Sequence, residues 1–298
     1  MLRERGVPLA RVTSIGALLV LVSSLGTAPA GANHTMTTEG RPKCEITHFS
    51  RNNFSHPTDI DNKWSPLVPG TQMIMEGVAN RTGELLEHQV IFTVTEVTKV
   101  IDGVRTVVLW DRDINQGKLV EAELAFKAQD NSGNVWNLGE YPEEYENGEF
   151  LGAPSTWISG LGQARGGLLM EGKPQIDFTY YSQGIVPPID FLDCARAVKI
   201  GQRKCTPMEC YKSVQVTHER APLEPAEGIH RKYYAAGVGN VLVNAIENDP
   251  EGETLVLSQV VQLSPEALKE ANQVVLNLDR RAYRNVPLYR RTLPARSP

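Results

Sequence analysis

The sequence lacks a second long apolar run, a basic excess and any recognisable catalytic signature. Its one extended apolar stretch, Ile15 to Leu25, falls well short of the roughly 20 residues that span a ~30 Å hydrocarbon layer. A multi-pass membrane protein is therefore excluded, and no transmembrane segment is expected. The chain has 298 residues, with 30 Lys and Arg against 35 Asp and Glu, giving a net charge of −5. Nothing in that balance points to nucleic acid as a partner. Hydrophobic residues make up 41% and charged residues 22%, a composition that leaves out collagen-like and wholly disordered classes. There is no G-x-S-x-G elbow, no phosphate-binding Gly-Lys-Ser/Thr loop and no dinucleotide fingerprint followed by a helix. Gly237-Val238-Gly239 precedes a strand pattern and reads as a backbone turn.

What is present begins with an export signal. Arg3, Arg5 and Arg11 precede the apolar stretch, and Ala28-Pro29-Ala30 and Ala30-Gly31-Ala32 supply small-x-small cleavage patterns. Residues 1–32 are expected to be a signal peptide, so the protein is expected to be secreted, either extracellular or in the cell envelope. Export makes the four cysteines, Cys44, Cys194, Cys205 and Cys210, candidates for two disulfides. Three pairings are possible. Thr206-Pro207-Met208-Glu209 reads as a hairpin turn, which favours Cys205–Cys210 and leaves Cys44–Cys194 as a long-range staple.

The rest of the chain is patterned for strands. After a polar lead-in over 33–60, the β domain is expected over 61–263. Val90, Phe92 and Val94 alternate with Thr93 and Thr95, and Asp102-Gly103 separates that run from Val104 to Trp110, a strong hairpin signal. Val120, Ala122, Leu124, Phe126 and Ala128 alternate with Glu121, Glu123, Lys127 and Gln129, so this strand is expected to have one dry and one wet face. Residues 139–172 read as an acidic surface segment followed by a glycine-rich loop around Trp157. Further strands bring the expected total to about ten. The fold class is mainly β: an antiparallel meander closing into a barrel or a two-sheet sandwich, which limits exposed edges. Ser264, Pro265 and Glu266 start a helix over 264–283, with Leu268, Ala271, Val275, Leu278 and Ala282 at helical spacing. The tail, 284–298, is Arg-rich. It is expected to lie on the acidic body or stay loose, the alternative being contact with an anionic surface.

Several segments resemble a family of exported, β-rich bacterial proteins without an established biochemical role. They are Asp61-Asn62-Lys63-Trp64-Ser65-Pro66-Leu67-Val68-Pro69-Gly70, Lys127-Ala128-Gln129-Asp130, Gly133-Asn134-Val135-Trp136-Asn137-Leu138-Gly139-Glu140 and Lys232-Tyr233-Tyr234-Ala235-Ala236-Gly237-Val238-Gly239. The resemblance implies export and a β fold, and no particular reaction. The chain departs from the family pattern at Ile158, where an acidic residue is expected, and in the Pro-rich, apolar stretch from Tyr180 to Phe191.

Candidate chemistry is sparse. Asp111-x-Asp113-x-Asn115-x-Gly117 resembles the start of a calcium loop, but glycine is seventh rather than sixth and Ala122 occupies the twelfth position, so an exposed polar turn is expected. Asp130-Asn131-Ser132-Gly133-Asn134 reads as a turn for the same reason. His56, Asp59 and Asp61 form a weak ligand set, and neither a metal nor a cofactor is expected. His218 and Glu219, being adjacent on a strand, should face opposite ways. The aromatic residues suggest more: Trp136, Trp157, Tyr180 and Tyr234, with Glu140, are the candidate ligand-binding residues, set against a role in the core. The expected function is non-catalytic binding of a small apolar or glycan ligand. The alternatives are a secreted hydrolase or cyclase using pocket carboxylates and tyrosines, or an envelope interaction protein.

Overall fold

A computed structural model describes residues 44–81, 83–223, 228–246 and 252–298. The expected signal peptide over 1–32, residues 33–43 of the lead-in and the turn around Asn248 lie outside the described residues. Fifteen strands are present: β1 (Cys44–Glu45), β2 (Thr71–Arg81), β3 (Glu84–Ile101), β4 (Val104–Asn115), β5 (Lys118–Gln129), β6 (Val135–Glu146), β7 (Glu149–Gly152), β8 (Trp157–Ile158), β9 (Arg165–Met170), β10 (Tyr180–Val186), β11 (Phe191–Cys205), β12 (Cys210–Arg220), β13 (Ile229–Ala235), β14 (Gly239–Ile246) and β15 (Thr254–Gln262). Among the described residues one α-helix, α1, spans Pro265–Asn285.

The strands β10 to β15 follow one another in the sheet, then β2 to β6, and β9 joins β6 back to β10. The result is a closed barrel of twelve antiparallel strands, which leaves no edge within the ring. The barrel form of the expected fold is the one adopted. The hairpin turns fall where the sequence placed them: Asp102 and Gly103, like Gln116 and Gly117, take positive φ angles, as two-residue turns between twisted strands require.

Two of the sequence expectations are corrected. Residues 139–172 are not simply an acidic surface and a loop. Glu140 and Glu143 are buried on β6, and β9, within that stretch, completes the barrel. The other concerns β5, both of whose faces are buried. Ala122, Leu124, Phe126 and Ala128 point outward, where they pack with Val275, Leu278 and Ala282 of α1 and with Tyr289. The expected wet face, Glu121, Glu123 and Lys127, points into the barrel. Alternation distinguishes two faces of a strand; the helix decides which face is covered.

α1 begins where Ser264 accepts a hydrogen bond from the Ala267 N–H at 3.2 Å. Three polar anchors hold it to the barrel wall. Asn272 Nδ2 donates to Glu96 at 2.9 Å, Lys99 Nζ donates to Asp279 at 2.8 Å, and Arg281 pairs with Glu143. Lys99 also donates to Tyr283 Oη and to the Leu293 carbonyl, and it lies 4.3 Å from the Tyr289 ring centre. The tail is drawn onto this face as well. The main chain of Arg296 exchanges two hydrogen bonds with Thr98, both 2.8 Å, and Arg290 donates to the carbonyls of Tyr283 and Arg284.

Both disulfides are formed, Cys44–Cys194 and Cys205–Cys210, the pairing favoured from the turn sequence. Cys44–Cys194 ties the short parallel strand β1 to the barrel. Two closed disulfides accord with an oxidising compartment, and so with a secreted or envelope protein.

Candidate functional site

Residues 60–65, at the junction of the lead-in and the β domain, close one end of the barrel. Trp64 and Ile60 are buried among Val94, Val107, Leu109, Val135 and Tyr234. Asn62 knots this plug. Its side-chain oxygen accepts from the backbone N–H groups of Trp64 and Ser65, and its amide donates to the carbonyls of Gly133 (2.7 Å) and Glu171 (3.2 Å). The Asp61-Asn62-Lys63-Trp64 segment is thus a structural stopper.

Beneath the plug lies a cavity of about 100 Å³. Its walls come from opposite sides of the ring, β3 to β5 on one and β13 and β14 on the other, so it belongs to the lumen. Phe92, Val94, Leu109, Ala125 and Leu169 form the apolar walls, and Asp111, Glu123, Lys127, Lys232 and Tyr234 supply polar groups. Asp111 and Glu123 are cross-strand partners. The expected exposed polar turn is limited to Gln116 and Gly117: Asp111 and Asp113 belong to β4 and are 4% and 1% exposed. Burial is the main reason that the Asp111 carboxyl is pushed up to about 7; Lys127 and Arg112 oppose the shift and Glu140 adds to it. Glu123 is also raised well above the usual carboxylate value, by burial first and then by Glu140 and Asp111.

Opposite, Lys232 Nζ pairs with Glu219 at 2.5 Å, and Tyr234 Oη donates to the same carboxylate at 3.1 Å. Burial and the Glu219 charge raise the Tyr234 hydroxyl well above its ordinary pKa. His218 faces away from Glu219, as strand geometry requires, and accepts from Arg231 Nε at 3.1 Å. Burial and the neighbouring cations Arg231, Arg196 and Lys199 lower its pKa to about 4.

The five residues singled out from the sequence do not share one site. Tyr234 lines the cavity. Glu140 lies next to it, linked through Lys127 at 3.7 Å, and accepts from Asn137 Nδ2 (2.6 Å) and Trp157 Nε1 (2.9 Å). The Trp157 ring packs on Phe191 at 5.6 Å. A side chain on Gly184 would run into both rings, with contacts of 2.9–3.2 Å. Trp136 is on the outer face, packed edge-on to Phe49 and Phe54, and donates to Asp130 at 2.9 Å. Asp130 also accepts from the Ser132 and Asn134 N–H groups, so that loop is the turn the sequence suggested. Tyr180 lies between the guanidinium groups of Arg220 (4.4 Å) and Arg196 (5.0 Å), away from the cavity; its neighbour Tyr181 is the one that faces Glu219 and Tyr234.

Sequence reasoning missed Asp111, Glu123, Lys127 and Lys232 as site residues. The charges recur at every second position, on β5 opposite an apolar face, and that alternation alone does not say which face turns inward.

No family model matches the chain, and no curated protein does. Among solved structures, it is similar to a proposed lipoprotein of Parabacteroides distasonis (TM-score 0.36) and a proposed exported protein with a YmcC-like fold from Bacteroides fragilis (TM-score 0.37). Each is 13% identical over 67% of this chain and 99% of its own. At that level the likeness carries no argument about fold or function.

Proposed function

We propose that this is a secreted barrel protein that holds a small, largely apolar ligand in its lumen without converting it. One observation carries the reading: apolar walls and deeply buried ionisable groups from opposite strands converge on a single cavity that includes Asp111, 4% exposed with one carboxylate oxygen lacking a hydrogen-bond partner among the described residues. A glycan is the less favoured occupant. Sugar binding uses exposed aromatic platforms, whereas Trp136 and Trp157 are buried and face different neighbours.

The test is native mass spectrometry of protein purified from its own secretion medium. A non-covalent adduct that is released on unfolding, and absent from a Leu109→Trp variant that fills the cavity, is expected. A clean apo mass from the native source contradicts the reading. A second reading, acid–base chemistry on the bound molecule, draws on the Asp111 carboxyl near 7, a poise suited to proton transfer at neutral pH. Re-incubating the released compound with fresh protein separates the two: it returns unchanged for a binder and altered for an enzyme.

A further inference from the structure

The cavity's charge is lopsided. Asp111, Glu123 and Glu140 interact around one ammonium, that of Lys127. Glu140 is already engaged by Asn137, Trp157 and Lys127. The second lysine, Lys232, is held by Glu219. Arg112 follows Asp111 on β4 and points the other way, stacking on the Trp110 ring at 4.1 Å. Asp111 lines the cavity; its carboxyl accepts from the Arg112 backbone N–H, and its Oδ1 has no donor among the described residues. A buried carboxylate oxygen left unbonded is costly, and clustered like charges add to that cost. A ligand that brings a donor removes the first penalty, and one that also brings positive charge reduces both.

The geometry points to a small cationic amphiphile as the ligand class: an ammonium against Asp111 and a short alkyl chain against Phe92, Val94 and Leu109. This deepens the ligand-binding reading and rests on it. An ammonium offers three donors and the compensating charge. A cavity of about 100 Å³, well above the roughly 10–15 Å³ that a single water needs, has room for a short alkyl chain bearing one nitrogen. A carboxylate head group would instead meet Asp111 and Glu123.

The probes are hexylammonium, hexanol and hexanoate, titrated calorimetrically into the disulfide-intact mature protein near pH 8, where Asp111 is ionised and the amine protonated. Hexylammonium is expected to bind at least about tenfold more tightly than hexanol, the effect of about 1.4 kcal/mol, with hexanoate weakest. Asp111→Asn should remove most of that advantage while leaving hexanol affinity within about threefold. The ranking of the three probes on the wild-type protein needs no variant, so it stands even if Asp111→Asn folds poorly. Hexanol or hexanoate binding as tightly as hexylammonium overturns the cation class and leaves the ligand-binding reading intact. An equal loss of hexylammonium and hexanol affinity in Asp111→Asn overturns the assignment of Asp111. No binding of any probe, together with a clean apo mass from the native source, removes both readings.

Discussion

Asp111 on β4 and Glu123 on β5 are register partners, and both carboxyl groups turn into the lumen of a barrel whose outer wall at that point is covered by apolar side chains and a helix. Two buried acids side by side destabilise one another unless protons or cations intervene. That arrangement has consequences for stability as well as for binding.

The first is a pH dependence of stability. Asp111 is raised from 3.8 to about 7, so the folded protein holds this proton more tightly than the unfolded chain does. Its contribution is fully present below about pH 4 and is lost as pH rises through about 7. His218, lowered to about 4, acts with the opposite sign between there and its ordinary 6.5, because the unfolded chain takes up that proton first. The difference between wild type and Asp111→Asn cancels the His218 contribution. Urea unfolding should show the variant gaining on wild type as pH rises from 4 to 7, by on the order of 2–4 kcal/mol in total.

Trp157 and Glu140 form a second buried pair. Glu140→Ala leaves the indole N–H, the Asn137 amide and Lys127 without their shared acceptor, and should cost about 3–5 kcal/mol in chemical denaturation. Trp157→Phe removes a single donor together with some packing, and should cost less, about 1–3 kcal/mol. An equal cost for the two would show that packing dominates this corner.

The third prediction concerns the clamp between barrel and helix. Lys99 and Asp279 are both nearly fully buried, and Tyr289 Oη and the Ala295 N–H also donate to Asp279. Lys99→Met strands the carboxylate and should destabilise the protein by about 3–5 kcal/mol. Hydrogen exchange should speed up first in α1 and in residues 286–298, with β12 to β14 less affected.

The two disulfides should differ in weight. Cys44–Cys194 has a sequence separation of 150 and Cys205–Cys210 one of 5. In the chain-entropy model the long closure contributes about 5 kcal/mol and the short one about 2. Paired Cys→Ala replacement at each bridge, followed by thermal unfolding, should reproduce that order.

Much of the fold was legible because it is local. Asp102-Gly103, the turn before Lys118, the Ser264 cap and the Cys205–Cys210 hairpin each involve neighbouring residues, and backbone preference alone points to them. What was hidden depends on distant partners. Glu140 and Glu143 look like surface acids until Lys127 and Arg281 arrive from elsewhere in the chain. Glu121, Glu123 and Lys127 look solvated because alternation does not reveal that α1 covers the other face. Tyr180 and Tyr181 were separable only by register, and the sequence contains no signal for which of the two faces inward.

The most direct test of the lumen as the binding site is methyl-resolved NMR during titration with hexylammonium. Val94, Leu109, Leu169 and Val238 line the cavity, while Val104, Leu124 and Val275 pack outside the barrel and serve as controls. Saturable shifts confined to the first group are predicted. Shifts centred on the second group, or none in either at millimolar ligand, would contradict a ligand site inside the barrel.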